Sequence, residues 1–137
     1  MNYFLAKTDP DTYSITDLKK EQETVWDGVH NFQAINVIKS WKVGDKVLVY
    51  HSQTDKKIVG LMEVVSEAFK DPHDKRGISW AANVRFVKEF EPEKQVSLAE
   101  IKETGKFNDF LLIRNGRLST MACPPAFVEW LQQRKVL

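Results

Sequence analysis

Three strand-like segments follow one another in the middle of the chain, and the helix-like segments lie outside them. The segments cover 46–51, 58–65 and 79–90 and are rich in β-branched and aromatic residues. Gly60, inside the second segment, indicates a bulge or a close approach of backbone. Because strands and helices do not alternate, this order favours an α+β fold over a doubly wound parallel sheet. Three long strands could also curl into a small barrel, which would remove exposed edges.

The flanking segments carry signals for turns and helix starts. A short first strand, 3–6, is followed by turn-forming residues at 8–11. Ser14, Asn31 and Ser97 stand where helix N-caps are expected, and two prolines open a fourth helix near the end. The predicted helices cover 15–20, 32–41, 98–103 and 126–134. No linker-like composition divides the chain, so we expect 1–137 to form a single domain.

The balance of charges excludes several classes of protein. Twenty Lys and Arg against 19 Asp and Glu give a formal net charge of +1, which excludes a polybasic protein and a strongly acidic disordered one. Any binding of nucleic acid must therefore come from a local basic rim around a specific pocket. The longest apolar runs, 47–50 and 110–113, are far shorter than the ~20 residues of a membrane-spanning helix. We therefore expect no membrane partner.

Few residues suit metal or redox chemistry. The single cysteine, Cys123, cannot form an intrachain disulfide and favours a reducing compartment. With no leader-like stretch at the start, we expect a cytoplasmic protein. His30, His51 and His73 lie too far apart for a recognisable zinc spacing, and the hydrolase, P-loop and dinucleotide motifs are absent. We therefore expect neither a metal nor a cofactor.

The segment 24–31, Thr-Val-Trp-Asp-Gly-Val-His-Asn, combines an aromatic side chain, a tight turn and a helix cap. One interpretation is a structural turn in which Trp26 fills the core. The other is a pocket wall, with the indole as a stacking plane beside the free N–H groups of a helix start. Trp41 and Trp130 fall on helical apolar stripes and are predicted core residues, whereas Trp26 and Trp80 are better pocket candidates.

Two further segments could contribute polar chemistry. His51 and Ser52 end a strand, but neighbouring strand residues face opposite sides, which disfavours a nucleophile–base pair; a structural hydrogen bond by His51 is the alternative. Residues 101–137 carry six Lys and Arg against three acidic residues. These charges form either a solvated face or a phosphate-binding rim near Trp26.

The chain resembles the EVE domain family over nearly its whole length. The opening Tyr-Phe-Leu-Ala-Lys-Thr-Asp-Pro, residues 3–10, is similar to the family's usual start. Further similar positions are 13–14, 17–18, 26–29, 31, 33–34, 36, 44–45, 47–48, 50–52, 58–60, 63–64, 67–68, 71–72, 84–87 and 117–119. The resemblance implies a PUA-like fold, a bent, mostly antiparallel β-barrel flanked by short helices, in the superfamily that includes the YTH domain. It also implies a non-catalytic reader of a modified base that has rotated out of a DNA or RNA helix.

Such a reader needs an aromatic plane for the base and polar groups for its Watson–Crick edge. Carried over from the family, the base pocket would comprise Thr8, Trp26, Asp27, Asn31, Tyr50, His51, Ser52, Leu118 and Ser119. The phosphate rim would comprise Lys7, His30, Arg114 and Arg117.

The sequence also departs from the family. Residues 30–36 read His-Asn-Phe-Gln-Ala-Ile-Asn, where Arg-Asn-Tyr-Gln-Ala-Arg-Asn is common, and 73–79 looks shorter than the usual loop. We therefore expect a weaker grip on nucleic acid. Two alternatives stay open: an enzyme acting on a small nucleotide-like ligand, with His51 or Asp27 as acid–base groups, and a pocket for an unrelated small molecule. The missing nucleophile and metal motifs disfavour the enzyme.

Overall fold

The structure, a computed structural model that describes residues 1–137, is built on one mixed sheet of eight strands. The strands are β1 (Tyr3–Thr8), β2 (Glu23–Trp26), β3 (Lys46–His51), β4 (Lys57–Val64), β5 (Phe69–Lys70), β6 (Trp80–Glu89), β7 (Val96–Ser97) and β8 (Thr120–Ala122). Their order is β2-β6-β4-β3-β1-β8, with β5 beside β6 and β7 beside β4. Every pair is antiparallel except β1 with β3. The predicted α+β class and the mostly antiparallel sheet are confirmed.

The sheet does not close through hydrogen bonds, because β2 and β8 end the strand order without pairing with each other. Helix α2 (Phe32–Lys39) contacts both β6 and β8. Helix α2 therefore packs against β8 at one end of the strand order and against β6, the neighbour of β2, near the other.

The other helices are short. They are α1 (Ile15–Glu21), α3 (Leu98–Thr104), α4 (Leu111–Arg114) and α5 (Pro125–Gln133), with a 3₁₀ turn at Pro92–Lys94. Ser14 and Ser97 form capping boxes with Asp17 and Glu100, and Asn31 caps α2, so the three predicted N-caps are confirmed. No helix has both the length and the apolar character needed to cross a bilayer.

The core lies between the sheet and the helices. It includes Trp41, 2% exposed, as predicted. Phe107, Phe110 and Phe127 form an aromatic cluster, and Trp130 contacts its edge. This cluster holds α5 against the segment between α3 and α4.

Several strands were not predicted. Strand β1 extends beyond the predicted 3–6 through Lys7 and Thr8, as far as the start of the turn predicted at 8–11, because these residues pair with Tyr50 and His51 of β3. Strand β2 also lies within a segment expected to turn, and Trp26 pairs there with Ala82. Strands of two to four residues are too short to show a period in sequence, so only their partners in the sheet define them.

Gly60 shows the close approach of backbone that its sequence context indicated. A β-carbon at this position would lie 2.6 Å from the Lys88 carbonyl oxygen of β6 and 2.6 Å from Cδ1 of Ile15. Only glycine lets β4 pass this close to β6 and to the first residue of α1.

Candidate functional site

A cleft of about 930 Å³ opens beside the end of β1, strand β2 and the loop 71–79 between β5 and β6. Its volume falls in the range of small-molecule sites. Residues from five parts of the chain line it, which places the cleft at the end of the sheet where β1 and β2 finish. A second hollow of about 540 Å³, lined by polar and charged residues and Gly28, adjoins it and shares residues with it.

One wall of the cleft is aromatic. Trp26 is 8% exposed and meets the ring of Tyr13 edge-on, with centroids 6.3 Å apart and planes at 79°. Thr8 fixes Tyr13 from the end of β1, since its hydroxyl donates to the Tyr13 carbonyl at 2.7 Å. The Tyr13 hydroxyl donates to the Glu21 carboxylate, and burial together with this carboxylate raises the pKa of Tyr13 to about 12. The wall is therefore uncharged at neutral pH.

A cationic rim stands beside this wall. Lys7 and Arg117 both line the cleft. The Lys7 ammonium donates to the Gly116 carbonyl at 2.9 Å and lies over the Tyr50 ring, 5.6 Å from its centroid. Burial lowers the pKa of Lys7. The hydrogen bond to Gly116 links the end of β1 to the segment that precedes β8. Two further N–H groups of the Lys7 ammonium remain available to a ligand.

Another part of the cleft lining is the start of loop 71–79, which contributes Asp71, Pro72 and His73, and the rest of this loop folds onto residues 28–30. The Asp74 carboxylate accepts N–H bonds from Ser79 at 2.7 Å and Ile78 at 3.0 Å, and these bonds lower the pKa of Asp74 to about 2. The Ser79 hydroxyl then donates to the Val29 carbonyl at 2.6 Å, and Arg76 Nη2 lies 3.1 Å from His30 Nδ1. Although this loop looks short in sequence, it does reach the cleft.

Asn31 stands where the cleft meets the start of α2. Its side-chain oxygen accepts the N–H groups of Gln33 at 2.8 Å and Ala34 at 3.1 Å. The oxygen is thus used by the helix, while the side-chain NH₂ makes no hydrogen bond within the protein. Asn31 can offer a donor to a ligand.

The structure brings many of the predicted site residues together. The predicted residues that line the cleft are Lys7, Thr8, Trp26, Asp27, His30, Asn31, Arg117 and Ser119. Trp80, the other tryptophan considered for a pocket, lies outside the cleft and contacts the Lys39 ammonium, 5.0 Å from its ring centroid.

Five predicted residues lie outside the cleft lining, in contrast to the sequence analysis: Tyr50, His51, Ser52, Leu118 and Arg114. Tyr50 and Leu118 are buried in the core, where Tyr50 supports Lys7 from below. Arg114 is exposed at the end of α4. The end of β3 does not join Trp26 in the cleft lining: β3 lies beside β1 in the sheet, and the β1 residues Lys7 and Thr8 line the cleft while their partners Tyr50 and His51 do not.

His51 and Ser52 hold neighbouring backbone instead of facing a ligand. His51 Nε2 accepts the N–H of Ile15 at 3.0 Å, and Nδ1 lies 3.1 Å from the Asp55 carboxylate. The Ser52 hydroxyl donates to the Thr8 carbonyl at 3.2 Å. Both ring nitrogens of His51 contact other groups of the protein, as expected if this histidine makes structural hydrogen bonds instead of acting as a base for Ser52.

Sequence reasoning missed several lining residues, among them Thr12, Tyr13, Phe69, Asp71 and His73. Asp71 and Pro72 are among the residues that resemble the family, and this resemblance is the sequence feature that could have identified Asp71 as a site residue. No group of three or more His, Cys, Asp or Glu side chains is placed to hold a metal ion.

The chain has relatives among known proteins. Thymocyte nuclear protein 1 of Gallus gallus is 32% identical over 149 residues, which cover 85% of this chain and 62% of that protein. The Rattus norvegicus protein is 40% identical over 82 residues, covering 51% and 36%. This chain therefore spans less than two thirds of the length of these relatives.

Solved structures share the fold. A Rhodopseudomonas palustris protein solved by NMR superposes with a TM-score of 0.87 at 27% identity, covering 97% of this chain and 92% of that one. Human THYN1 in complex with 5-methylcytosine-containing DNA gives 0.84 at 27% identity, covering 97% of both chains. These neighbours confirm the predicted PUA-like fold. The family model of the EVE domain matches residues 2–134, and the chain therefore belongs to the EVE domain family.

Proposed function

We propose that this chain binds DNA that carries a modified base, and that the cleft receives that base after it has rotated out of the helix. The proposal includes no catalytic step. The observation that carries it is the cleft itself, about 930 Å³ in volume, in which an aromatic wall stands beside a cationic rim. Its family membership and its similarity to human THYN1, solved in complex with 5-methylcytosine-containing DNA, favour DNA as the ligand.

The aromatic wall suits a flat heterocycle. Stacking of a base on an aromatic side chain contributes roughly 1–3 kcal/mol. Trp26 presents only a small part of its indole, so Tyr13 and Phe69, both half-buried, supply the rest of the aromatic surface. A base seated here would be shielded from water on one face.

The polar groups around the wall suit the edges of a base and its backbone. Thr8, Asn31 and Ser119 place a hydroxyl or an amide at the cleft. Lys7 and Arg117 lie on the rim, where a flanking phosphate would pass. Because the net charge is only +1, this local rim must supply most of the attraction to DNA.

Of the two residues considered for acid–base catalysis, Asp27 lines the cleft and His51 does not. Both ring nitrogens of His51 are held by protein groups, and the side chain lies outside the cleft. No other observation favours a chemical step over binding.

The experiment compares two arginines of the same segment. Arg117 lines the cleft and Arg114 does not, although both are exposed. Fluorescence polarisation would measure the binding of matched oligonucleotides with 5-methylcytosine or cytosine, as DNA and as RNA, over a salt series. We expect tighter binding to the modified DNA. Arg117→Ser should weaken binding to both sequences and reduce the salt slope by about 1, while Arg114→Ser should bind as the unaltered chain does.

A second readout follows the indole in the cleft. Binding should quench tryptophan fluorescence, and Trp26→Phe should remove most of that change while keeping an aromatic side chain in the core. Equal binding to modified and unmodified DNA would overturn the proposal, as would equal losses from the two arginine variants. Tighter binding to modified RNA than to modified DNA would overturn the choice of DNA.

A further inference from the structure

Asp71 is a buried carboxylate that faces the cleft. Its residue is 8% exposed, and it lines both the main cleft and the adjoining hollow. A carboxylate removed from water to this degree needs hydrogen bonds or a counter-charge to offset the loss of hydration.

The protein itself supplies little of that compensation. Asp71 Oδ1 accepts the N–H of His73 at 2.9 Å. Oδ2 has only the N–H of Gly28 at 3.5 Å, which is longer than a normal N–H···O bond. The six ion pairs of the structure do not include Asp71. One oxygen of a buried carboxylate therefore retains most of its capacity to accept.

The neighbouring carboxylates differ from Asp71. Asp74 is saturated by backbone N–H groups of its own loop. Asp27 lines the same two hollows but is exposed, so water satisfies it. Asp71 alone combines burial, a position at the cleft and an unused acceptor among these three.

We propose that Asp71 determines which base the cleft accepts, by taking a hydrogen bond from an exocyclic amino group at position 4 of a pyrimidine. The inference rests on the proposed function and adds the base class to it. A carboxylate accepts the N4 amino protons of cytosine. Thymine carries an oxygen at the same place, and two acceptors facing each other in a buried site would leave both without a donor. The cleft should therefore select cytosine-type bases against thymine-type bases.

The test uses 5-methylcytosine and thymine, which share the methyl group and differ in the groups at positions 3 and 4. Binding of two DNA oligonucleotides that differ only at this base gives a ratio of dissociation constants. We expect Asp71→Asn to reduce the preference for 5-methylcytosine about 10-fold, because the amide can present an N–H to the thymine oxygen. Comparing ratios between variants cancels any difference in how readily the two bases leave the helix.

A matched control removes the same charge elsewhere. Asp109 is exposed and lies outside the cleft, so Asp109→Asn should keep the unaltered ratio. In Asp71→Asn, the side-chain oxygen can still accept the N–H of His73, so we expect loop 71–79 to stay folded.

A DNA analogue tests the inference without any change to the protein. An oligonucleotide with 5-methylpyrimidin-2-one lacks only the 4-amino group, and it should bind the unaltered chain about 10-fold more weakly than 5-methylcytosine. Equal binding of the two would overturn the role of Asp71, and so would an unchanged ratio in a folded Asp71→Asn protein. If the chain still preferred 5-methylcytosine to cytosine in those cases, the proposed function would stand and only this inference would fail.

Discussion

Replacement of Gly60 by alanine is the sharpest test of how the sheet is packed. The added methyl group would lie 2.6 Å from the Lys88 carbonyl oxygen and 2.6 Å from Cδ1 of Ile15. The carbonyl belongs to the β4–β6 pairing and cannot move without disturbing it. Ile15 is 3% exposed and begins α1, so it has little room to turn away.

The expected loss of stability follows from two opposing effects. Overpacking of a well-packed interior costs about 1–3 kcal/mol, and contact with backbone places Gly60→Ala near the upper end. Alanine also restricts the unfolded chain, which returns about 0.4–1 kcal/mol. We expect a net loss of about 2 kcal/mol in the free energy of unfolding, or roughly 6–8 °C in melting temperature for a chain of this size.

Urea denaturation followed by tryptophan fluorescence would measure this loss. Gly116→Ala is the matched control, because no atom lies within 4 Å of the added β-carbon and the residue is not in the left-handed region. It should be as stable as the unaltered chain or slightly more stable. If Gly60→Ala lost less than about 0.5 kcal/mol, the steric account of this position would be refuted.

Three further predictions concern ionisable groups. The pKa of Tyr13 is raised in the folded state, so its contribution to stability is present below pH 10 and is lost as the pH rises to about 12; Tyr13→Phe should flatten this fall in alkaline unfolding curves. The pKa of Asp74 is lowered to about 2, so its contribution is present above about pH 4 and is lost as the pH falls toward 2. Hydrogen-exchange protection of the Ser79 amide should fall over that acid range, and Asp74→Asn should show no such pH dependence. Burial raises the pKa of the Cys123 thiol, so a disulfide reagent at pH 8 should label it far more slowly in the folded protein than in urea, and equal rates would contradict this.

The elements with strong local signals were predictable, and those defined by pairing were not. Capping residues such as Ser14, Asn31 and Ser97 act within a few residues of themselves, so their helices could be predicted from sequence and were found. Strand β2 pairs with β6, more than fifty residues away, and its four residues carry no period of their own. Only the assembled sheet shows that Trp26 ends a strand.

The cleft residues also divide into those that could be predicted from sequence and those that depend on how distant segments pair and pack. The segment 24–31 and the residues Lys7 and Thr8 could be nominated from residue type and from the family resemblance, and they do line the cleft. The predicted residues at the end of β3 lie outside the cleft lining, and sequence does not show that β3 pairs with β1, whose residues line the cleft instead. Asp71 was missed because burial, not residue type, distinguishes it from the other carboxylates of its loop.

The sequence by itself determined the fold class, the starts of four of the five helices to within one residue, the close approach at Gly60 and the family, since these depend on local chemistry and on residues that recur in order along the chain. The tertiary structure alone decided which side chains share a cavity. That depends on strand pairing between distant residues, on the packing of loop 71–79 against 28–30, and on which polar groups lose their water when the chain folds.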